Sequence, residues 1–298
     1  MRPAPVLAAG GRTLGNILSA TEWMLPSPAT QVHTISVLPS HSPSPAPQFA
    51  FSNLTTALKS SGGKGDEQGI FNVVRDDLLH PLANGNKARK LDALLPLLRR
   101  RGATDVITCG GCQSAHAAAV GVIRLVEHLS SLSSFHNDEE VHVVVDAGTG
   151  TTAVGLALGA VCLGLNWRVT AVMLADTLER YQEQEKSLIS DFKGLCHEDC
   201  HHMVVTDGLV HWVDRFSPRR FGKVLGGEIA SCRQVAQQTG ILLDPVYTLA
   251  AWEQAVDLCR GDGRGAKVAM IHSGGTLGLF GLAQRYSQHF AATANGQA

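Results

Sequence analysis

The sequence predicts an α/β fold built on a parallel β-sheet. Short β-branched segments alternate with longer segments whose apolar residues recur every three or four positions, which is typical of strand–helix–strand units. Of the 298 residues, 44% are hydrophobic and 17% are charged, so the chain can build a large core. The 31 glycines and the 5% aromatic content favour an α/β protein over an aromatic-rich β-sandwich. A sheet of this kind binds its ligand at the carboxyl ends of its strands.

Each element follows from a local pattern. Residues 87–101 predict a helix because leucines recur three and four positions apart, and Gly102 is suited to end it. The β-branched residues 104–109 predict a strand, and residues 113–132 predict a second helix. The apolar run at 141–146 predicts a buried strand, and a glycine turn leads from it into a helix of small residues at 151–164. The same criteria give a strand at 169–174, a helix at 178–195, a weak strand at 202–205, helices at 228–238 and 250–259, a strand at 267–271 and a helix at 276–286.

Charge and cysteine content limit the classes of function. The chain has 25 basic and 26 acidic residues, so no basic excess points to nucleic acid or an anionic membrane, and a small-molecule ligand is expected. No apolar run approaches the ~18 residues of a membrane-spanning helix. The seven cysteines are spread through hydrophobic segments, as expected of buried thiols in a reducing compartment.

Residues 1–65 differ in composition from the rest of the chain. They are rich in Ala, Ser, Pro and Thr, and Glu22 is their only acidic residue. This pattern predicts a disordered, transit-like extension that directs the protein to an organelle, and an ordinary disordered extension is the alternative. The three prolines within residues 40–47 exclude a packed element there.

Glycine-rich or polar turns flank several predicted elements, at residues 84–87, 110–114, 148–152 and 273–276. In the third, a strand ends at Asp146, glycines allow close approach to the backbone, and two threonines open a helix. Free N–H groups and the helix dipole favour a phosphate at such a turn. The turn is not a P-loop, because no lysine follows at the required spacing, and a structural turn without a ligand is the alternative.

Lys87 lies at the start of a predicted helix, where the positive end of the helix dipole disfavours a cation and favours the neutral amine. A neutral amine is the nucleophile that condenses with an aldehyde. A surface lysine beside Arg89 and Lys90 is the alternative.

Five ordered segments carry a resemblance to a known family: residues 71–77, 85–92, 108–116, 244–248 and 271–280. They resemble, in the same order, segments of the pyridoxal-phosphate-dependent D-cysteine desulfhydrase and aminocyclopropane-carboxylate deaminase family. The resemblance implies a fold type II, tryptophan synthase β-like enzyme that binds pyridoxal phosphate and forms a homodimer. It also implies α,β-elimination of D-cysteine to pyruvate, ammonia and hydrogen sulfide. A mitochondrial location is implied by similar plant proteins, with plastid or cytoplasm as alternatives.

The resemblance implies roles for individual residues. Lys87 resembles the lysine that binds the cofactor covalently, Asn86 precedes it, and Tyr247 resembles the tyrosine near the ring. Ser273 resembles the hydroxyl residue at the ring nitrogen, and Ser114 resembles the residue that binds the substrate carboxylate. The phosphate-binding turn corresponds to Gly148, Thr149, Gly150, Thr151 and Thr152.

Two positions bear on specificity and cofactor contact. Thr248 stands where desulfhydrases have threonine and deaminases have glutamate, and a neutral hydroxyl there implies a milder electron sink than a carboxylate. This choice disfavours the deaminase, which is kept as an alternative. Ala115 replaces the asparagine that contacts the ring hydroxyl of the cofactor in the common family pattern.

The spacing of the segments predicts an internal deletion. Gly148 lies only 61 positions after Lys87, whereas the resemblance implies a small domain of about 80–100 residues there. The predicted division is a disordered extension at 1–65, a large cofactor-binding domain at 66–103 and 134–290, a small-domain remnant at 104–133 and a tail at 291–298. An impaired form that binds the cofactor weakly or pairs with full-length subunits is one alternative, and a naturally minimal enzyme is another.

Metal and redox sites are not predicted. A zinc-ligand set would comprise Cys196, Cys200, His201 and His202, perhaps with Cys109 and Cys112, but its spacing is irregular. Cys109 and Cys112 lack the aromatic context of a redox pair. His116 and His272 lie beside proposed active loops, and each is expected to be a hydrogen-bonded structural histidine, with a helper in proton transfer as the alternative.

Overall fold

Seven strands and the helices packed on them form the part of the chain that the computed structural model describes. The described residues are 14–16, 18–38, 47–52, 69–80, 83, 85–105, 115–135, 140–195, 208–261 and 266–291. The strands are β1 (Val32–Leu38), β2 (Gln48–Ser52), β3 (Gly69–Val74), β4 (Val141–Ala147), β5 (Trp167–Met173), β6 (Val210–Asp214) and β7 (Lys267–Ile271). The helices are α1 (Asn86–Arg100), α2 (Ala115–Ser130), α3 (Thr151–Cys162), α4 (Leu178–Leu195), α5 (Glu228–Thr239), α6 (Thr248–Arg260), α7 (Gly278–Arg285) and α8 (Ser287–Phe290).

The strands form one mostly parallel sheet in the order β2-β1-β3-β7-β4-β5-β6. Strands β3, β7, β4, β5 and β6 are parallel to one another, whereas β1 pairs antiparallel with both β2 and β3. Every residue of β4 is buried, as expected of a central strand with helices on both faces. The predicted α/β class is therefore confirmed.

Most predicted elements are present in the described residues, with ends shifted by a few positions. Strands β3 and β6 were not predicted as strands, although β3 is almost fully buried. The predicted strand at 202–205 lies outside the described residues, as do residues 106–109 of the strand predicted at 104–109.

The prediction of a disordered extension over residues 1–65 is wrong for the described part of that range, where Leu14 and Leu18 are already buried in the core. Strands β1 and β2 lie within that range and pair with the sheet. Ile35 of β1 is fully buried, and the ring of Phe49 in β2 meets the Trp252 ring of α6 edge to face, with centroids 5.1 Å apart. The missing acidic residues suggested an import signal, but this segment forms a strand, β1, in which four consecutive residues are buried.

The second half of the segment predicted as a small-domain remnant, 104–133, belongs to α2 and shares a hydrophobic core with α3 and the sheet. Glycines of α3 lie directly against α2. A Cβ added at Gly155 would lie 2.9 Å from the Cβ of Val122, and one at Gly159 would lie 2.8 Å from a methyl of Val126. Glycines thus allow the two helices to approach each other closely.

A fully buried ion pair between Arg89 and Asp76 holds α1 in place. The Arg89 guanidinium donates to both carboxylate oxygens of Asp76, at 3.0 and 2.7 Å, and to the Pro28 carbonyl. Both side chains of the pair are only 1% exposed. A Cβ added at Gly121 of α2 would lie 2.0 Å from the Arg89 carbonyl oxygen, so α2 crosses α1 at van der Waals contact. Helix α1, which carries Lys87, is therefore held rigidly against the core.

Candidate active site

The carboxyl ends of β4 and β7 face the first turns of α1 and α3 around a cavity of about 260 Å³. This is the edge at which a parallel sheet is expected to bind its ligand. The lining residues are Asn86, Lys87, Lys90, Asp146, Gly148, Thr149, Gly150, Thr151, Thr152, Tyr247, Ser273 and Gly275. The structure therefore brings together the predicted residues of four separate segments of the chain.

The first turn of α1 is anchored to the loop after β7. Gly85 has φ of 68°, and a Cβ there would lie 1.8 Å from the Ser273 carbonyl oxygen, so only glycine fits. The Asn86 N–H donates to that same carbonyl at 2.9 Å, and the Asn86 amide donates to the Thr152 hydroxyl at 3.2 Å. These contacts fix the helix start and bring Lys87, itself exposed to solvent, to the cavity.

The turn between β4 and α3 is shaped to receive an anion. Gly150 adopts the left-handed conformation, and a Cβ there would lie 2.9 Å from the Trp212 ring. The Tyr181 hydroxyl lies 2.6 and 2.9 Å from the Ala147 and Gly148 carbonyl oxygens, so these acceptors have a hydrogen-bond partner. The first N–H groups of α3 have no acceptor within the helix, and the positive end of the helix dipole lies there.

Asp146 is a cavity residue that sequence analysis did not select. It ends the buried strand β4 and is 5% exposed, and it accepts a hydrogen bond of 2.5 Å from the Ser273 hydroxyl. Burial, partly opposed by this hydrogen bond, raises the pKa of Asp146 to about 6. A single carboxylate at the end of an otherwise apolar strand was the signal that could have identified it.

Lys90 was likewise seen only as a neighbour of Lys87, yet it lines the same cavity. It lies three residues further along α1 and so on the same face. Burial, and next the charge of Lys87, lower the pKa of Lys90 to about 8. Two lysines therefore face the anion turn.

Tyr247, just before α6, lines the cavity and is half-buried. Its ring edge is 3.4 Å from the position of a Cβ at Gly148, and its ring meets that of Phe221 edge to face, with centroids 5.6 Å apart. Burial, with the nearby Asp146 carboxylate, raises the pKa of the Tyr247 phenol. The ring therefore remains a neutral, flat wall of the cavity near neutral pH.

Thr248 does not line the cavity, contrary to its predicted role as a cofactor-binding residue. It is fully buried, and its hydroxyl donates to the Asp244 carboxylate at 2.9 Å. The same carboxylate accepts hydrogen bonds from the Val246 and Tyr247 N–H groups, both at 2.9 Å. Thr248 thus serves the turn that begins α6, because a buried hydroxyl takes the nearest strong acceptor.

Other candidate residues are inert or lie outside the described part of the chain. His272 is fully buried and its Nε2 is 2.9 Å from the Leu242 carbonyl oxygen, so the predicted structural role is confirmed. Ser114 lies outside the described residues, as does the candidate zinc and redox set, and nothing is described of the His116 side chain.

Within the described ranges no group of three or more metal-ligating side chains occurs. In the same ranges no helix has the length and apolar character needed to cross a membrane.

The fold and cavity define a class: an α/β protein whose ligand site, at the carboxyl edge of the sheet, pairs a helix-start lysine with an anion-binding turn. No model of a protein family matches the chain. The chain is 59% identical over 404 aligned positions to a protein of Oryza sativa subsp. japonica provisionally named D-cysteine desulfhydrase 2, mitochondrial, and the match covers 98% of this chain and 99% of that one. A protein of Pyrococcus horikoshii provisionally named 1-aminocyclopropane-1-carboxylate deaminase is 31% identical over 61% of this chain and 53% of its own length. The crystal structure of an ACC deaminase homologue matches with a TM-score of 0.63 and 19% identity, covering 97% of this chain and all of that one.

The chain belongs to the D-cysteine desulfhydrase and 1-aminocyclopropane-1-carboxylate deaminase family. Its α/β architecture is the fold type II architecture expected from the resemblance. The alignment with the rice protein spans 404 positions although this chain has 298 residues, so roughly a quarter of those positions have no residue here. The predicted shortening relative to other members is consistent with this difference.

Proposed function

We propose that this protein catalyses pyridoxal-phosphate-dependent α,β-elimination of D-cysteine, giving pyruvate, ammonia and hydrogen sulfide. The observation that carries the proposal is the cavity that joins Lys87 to the glycine–threonine turn at 148–152. The relatives named as D-cysteine desulfhydrases support the substrate. Aminocyclopropane-carboxylate deamination is the related reaction that the same experiments test.

The residues present fit the cofactor. Its phosphate would be held by the turn at 148–152, where N–H groups, threonine hydroxyls and the dipole of α3 all favour an anion. Lys90 would add a positive charge from the facing helix. Lys87 would supply the amine for the covalent link, and Tyr247 and Ser273 would border the ring. Bound there, pyridoxal phosphate supplies an electron-withdrawing ring that stabilises negative charge on the substrate α-carbon.

The protein's own groups would position the substrate and move protons. The Lys87 amine, once released by the substrate amine, would take the proton from the α-carbon. The Asn86 amide, fixed on Thr152, would keep the helix start and its lysine in place. Ser114 is proposed to bind the substrate carboxylate, so that the thiolate leaves from the adjacent carbon.

A Lys87→Ala variant tests the assignment directly. It should lose both the visible absorbance of lysine-bound cofactor and hydrogen sulfide release, whereas Lys223→Ala, which changes an exposed lysine, should retain both. Borohydride reduction followed by peptide mapping identifies the modified lysine. Modification of Lys90 or Lys223 in the native protein would contradict the assignment.

We also propose that the shortened segment between α1 and β4 lowers turnover. The loop with Ser114 would lose the strands that support it in a full small domain, and a site needs such support to hold its geometry. The comparison is hydrogen sulfide release by this chain and by a variant with a family small domain inserted after Gly121. Equal turnover numbers would contradict this proposal and support a minimal enzyme.

We propose that the protein is located in mitochondria and that it forms a homodimer. Relatives from rice and from Arabidopsis thaliana are named as mitochondrial. Since β1 belongs to the sheet, the import information is assigned to the residues before it, 1–31. These residues fused to a fluorescent protein should direct it to mitochondria, and a cytosolic fusion would contradict the assignment. Light scattering measures the assembly.

A further inference from the structure

We infer that Asp146 is a positioning residue that sets, through the Ser273 hydroxyl, the protonation of the group bound against that hydroxyl. The inference rests on the proposed cofactor, whose ring nitrogen Ser273 would face. The family resemblance selected Ser273 alone and does not imply its hydrogen bond with Asp146. The geometry that carries the inference is the short contact between two buried side chains that both line the cavity.

The direction of the hydrogen bond decides what Ser273 offers to a ligand. A serine hydroxyl has one proton and two acceptor lone pairs. Ser273 directs its proton to the Asp146 carboxylate at 2.5 Å, so only lone pairs are left for the cavity. A ligand group facing those lone pairs is stabilised when it is a donor, and for a pyridine nitrogen the donor form is the protonated one. Charge-assisted hydrogen bonds of this kind are about twice as strong as neutral ones.

Asp146 therefore gives the site the carboxylate that Thr248, being a threonine, does not provide. Thr248 does not line the cavity, and its hydroxyl is engaged by the Asp244 carboxylate. Asp146 supplies a negative charge from β4 instead, one hydroxyl away from the ligand. The ring would then be held in its strongly electron-withdrawing form even though the desulfhydrase threonine is present.

The charges around Asp146 are consistent with an ionised carboxylate near neutral pH. Lys87 from α1 favours its charged form, whereas Asp244, before α6, opposes it. Lys90, also on α1, and Tyr247, at the start of α6, feel its charge in turn. With a pKa of about 6, Asp146 is ionised above that pH and accepts the Ser273 proton. Below it, Asp146 carries the proton itself, and Ser273 is free to donate to an unprotonated nitrogen.

Nitrogen NMR of the holoenzyme, loaded with cofactor labelled at the ring nitrogen, tests the inference. The resonance reports the protonation of that nitrogen independently of activity. We expect the nitrogen to be protonated near neutral pH in the native enzyme. In Asp146→Asn the pH at which half of it is protonated should fall by about one unit, a tenfold loss of proton affinity. Asp257→Asn changes an exposed carboxylate on α6 and should leave the native titration unchanged.

Ser273→Ala keeps the Asp146 carboxylate but removes the hydroxyl that connects it to the ring nitrogen. It should shift the titration of that nitrogen in the same direction. It also decides the question if Asp146→Asn does not fold. A titration that matches the native one in either folded variant would overturn the inference and leave the proposed function intact. A native chain that binds no labelled cofactor would overturn the proposed function, and the inference with it.

Discussion

Asp146→Asn in the cofactor-free protein should change how stability depends on pH. The substitution keeps the size of the side chain and an oxygen that can accept the Ser273 proton, but it removes the titrating charge. Burial raises the pKa of Asp146 from 3.8 to about 6 in the folded protein. This difference between folded and unfolded states links the carboxyl to the free energy of unfolding.

The sign and size follow from that shift. A carboxyl with a raised pKa in the folded state contributes stability below its unfolded pKa of 3.8, and this contribution is lost as pH rises through about 6. A shift of about two units corresponds to about 3 kcal/mol. The native protein should therefore lose about 3 kcal/mol relative to Asp146→Asn between about pH 4 and pH 8.

Urea unfolding at a series of pH values, followed by tryptophan fluorescence, measures the difference between the two proteins. Using the difference cancels the other titrating groups, which both proteins share. Asp257→Asn serves as the matched control, because its carboxylate is exposed, and its difference from the native protein should stay flat. A difference for Asp146→Asn that also stays flat over this range would refute the reasoning.

Three further predictions test the fold. Deleting residues 1–52 removes β1 and β2 and bares one side of β3, so the product should lack a cooperative urea transition; a normal transition would restore the view of a dispensable extension. Gly155→Ala should cost about 1–3 kcal/mol by overpacking α3 against α2, whereas Gly281→Ala, which meets nothing within 4 Å, should be neutral or stabilising; equal urea midpoints would contradict the close helix contact. Arg89→Met should cost about 3–5 kcal/mol because it leaves Asp76 buried without its partner, and a loss below about 1 kcal/mol would refute this role.

Local patterns were sufficient where an element carries its own signal. The buried run that became β4 and the small-residue pattern of α3 need no distant partner to be recognised, since their composition already suits a central strand and a tightly packed helix. The turn at 148–152 was recognisable as a candidate anion site for the same reason, because glycines and threonines lie between a strand and a helix, with a structural turn as the alternative. The position of Lys87 at a helix start also follows from local sequence.

Long-range pairing decided the elements that sequence analysis missed. Strands β1 and β2 lie in a segment whose composition resembles a leader. Only the pairing of β1 with β3, and of β2 with β1, makes them part of the sheet. Helix α2 was predicted as a helix, but its place in the core depends on glycines of α3 some thirty residues away, at Gly155 and Gly159. Periodicity cannot reveal either contact, because it carries no information about which faces meet.

The fold class, the helix-start lysine, the anion turn and the family could be predicted from the sequence alone. Which polar side chains share the cavity depends on how the chain folds. Thr248 is not among the cavity residues, because its hydroxyl bonds to Asp244, whereas Asp146 and Lys90 are among them. The physical reason is that a buried hydroxyl or carboxyl is defined by its nearest partner, and those partners, such as Ser273 for Asp146, come from distant parts of the chain.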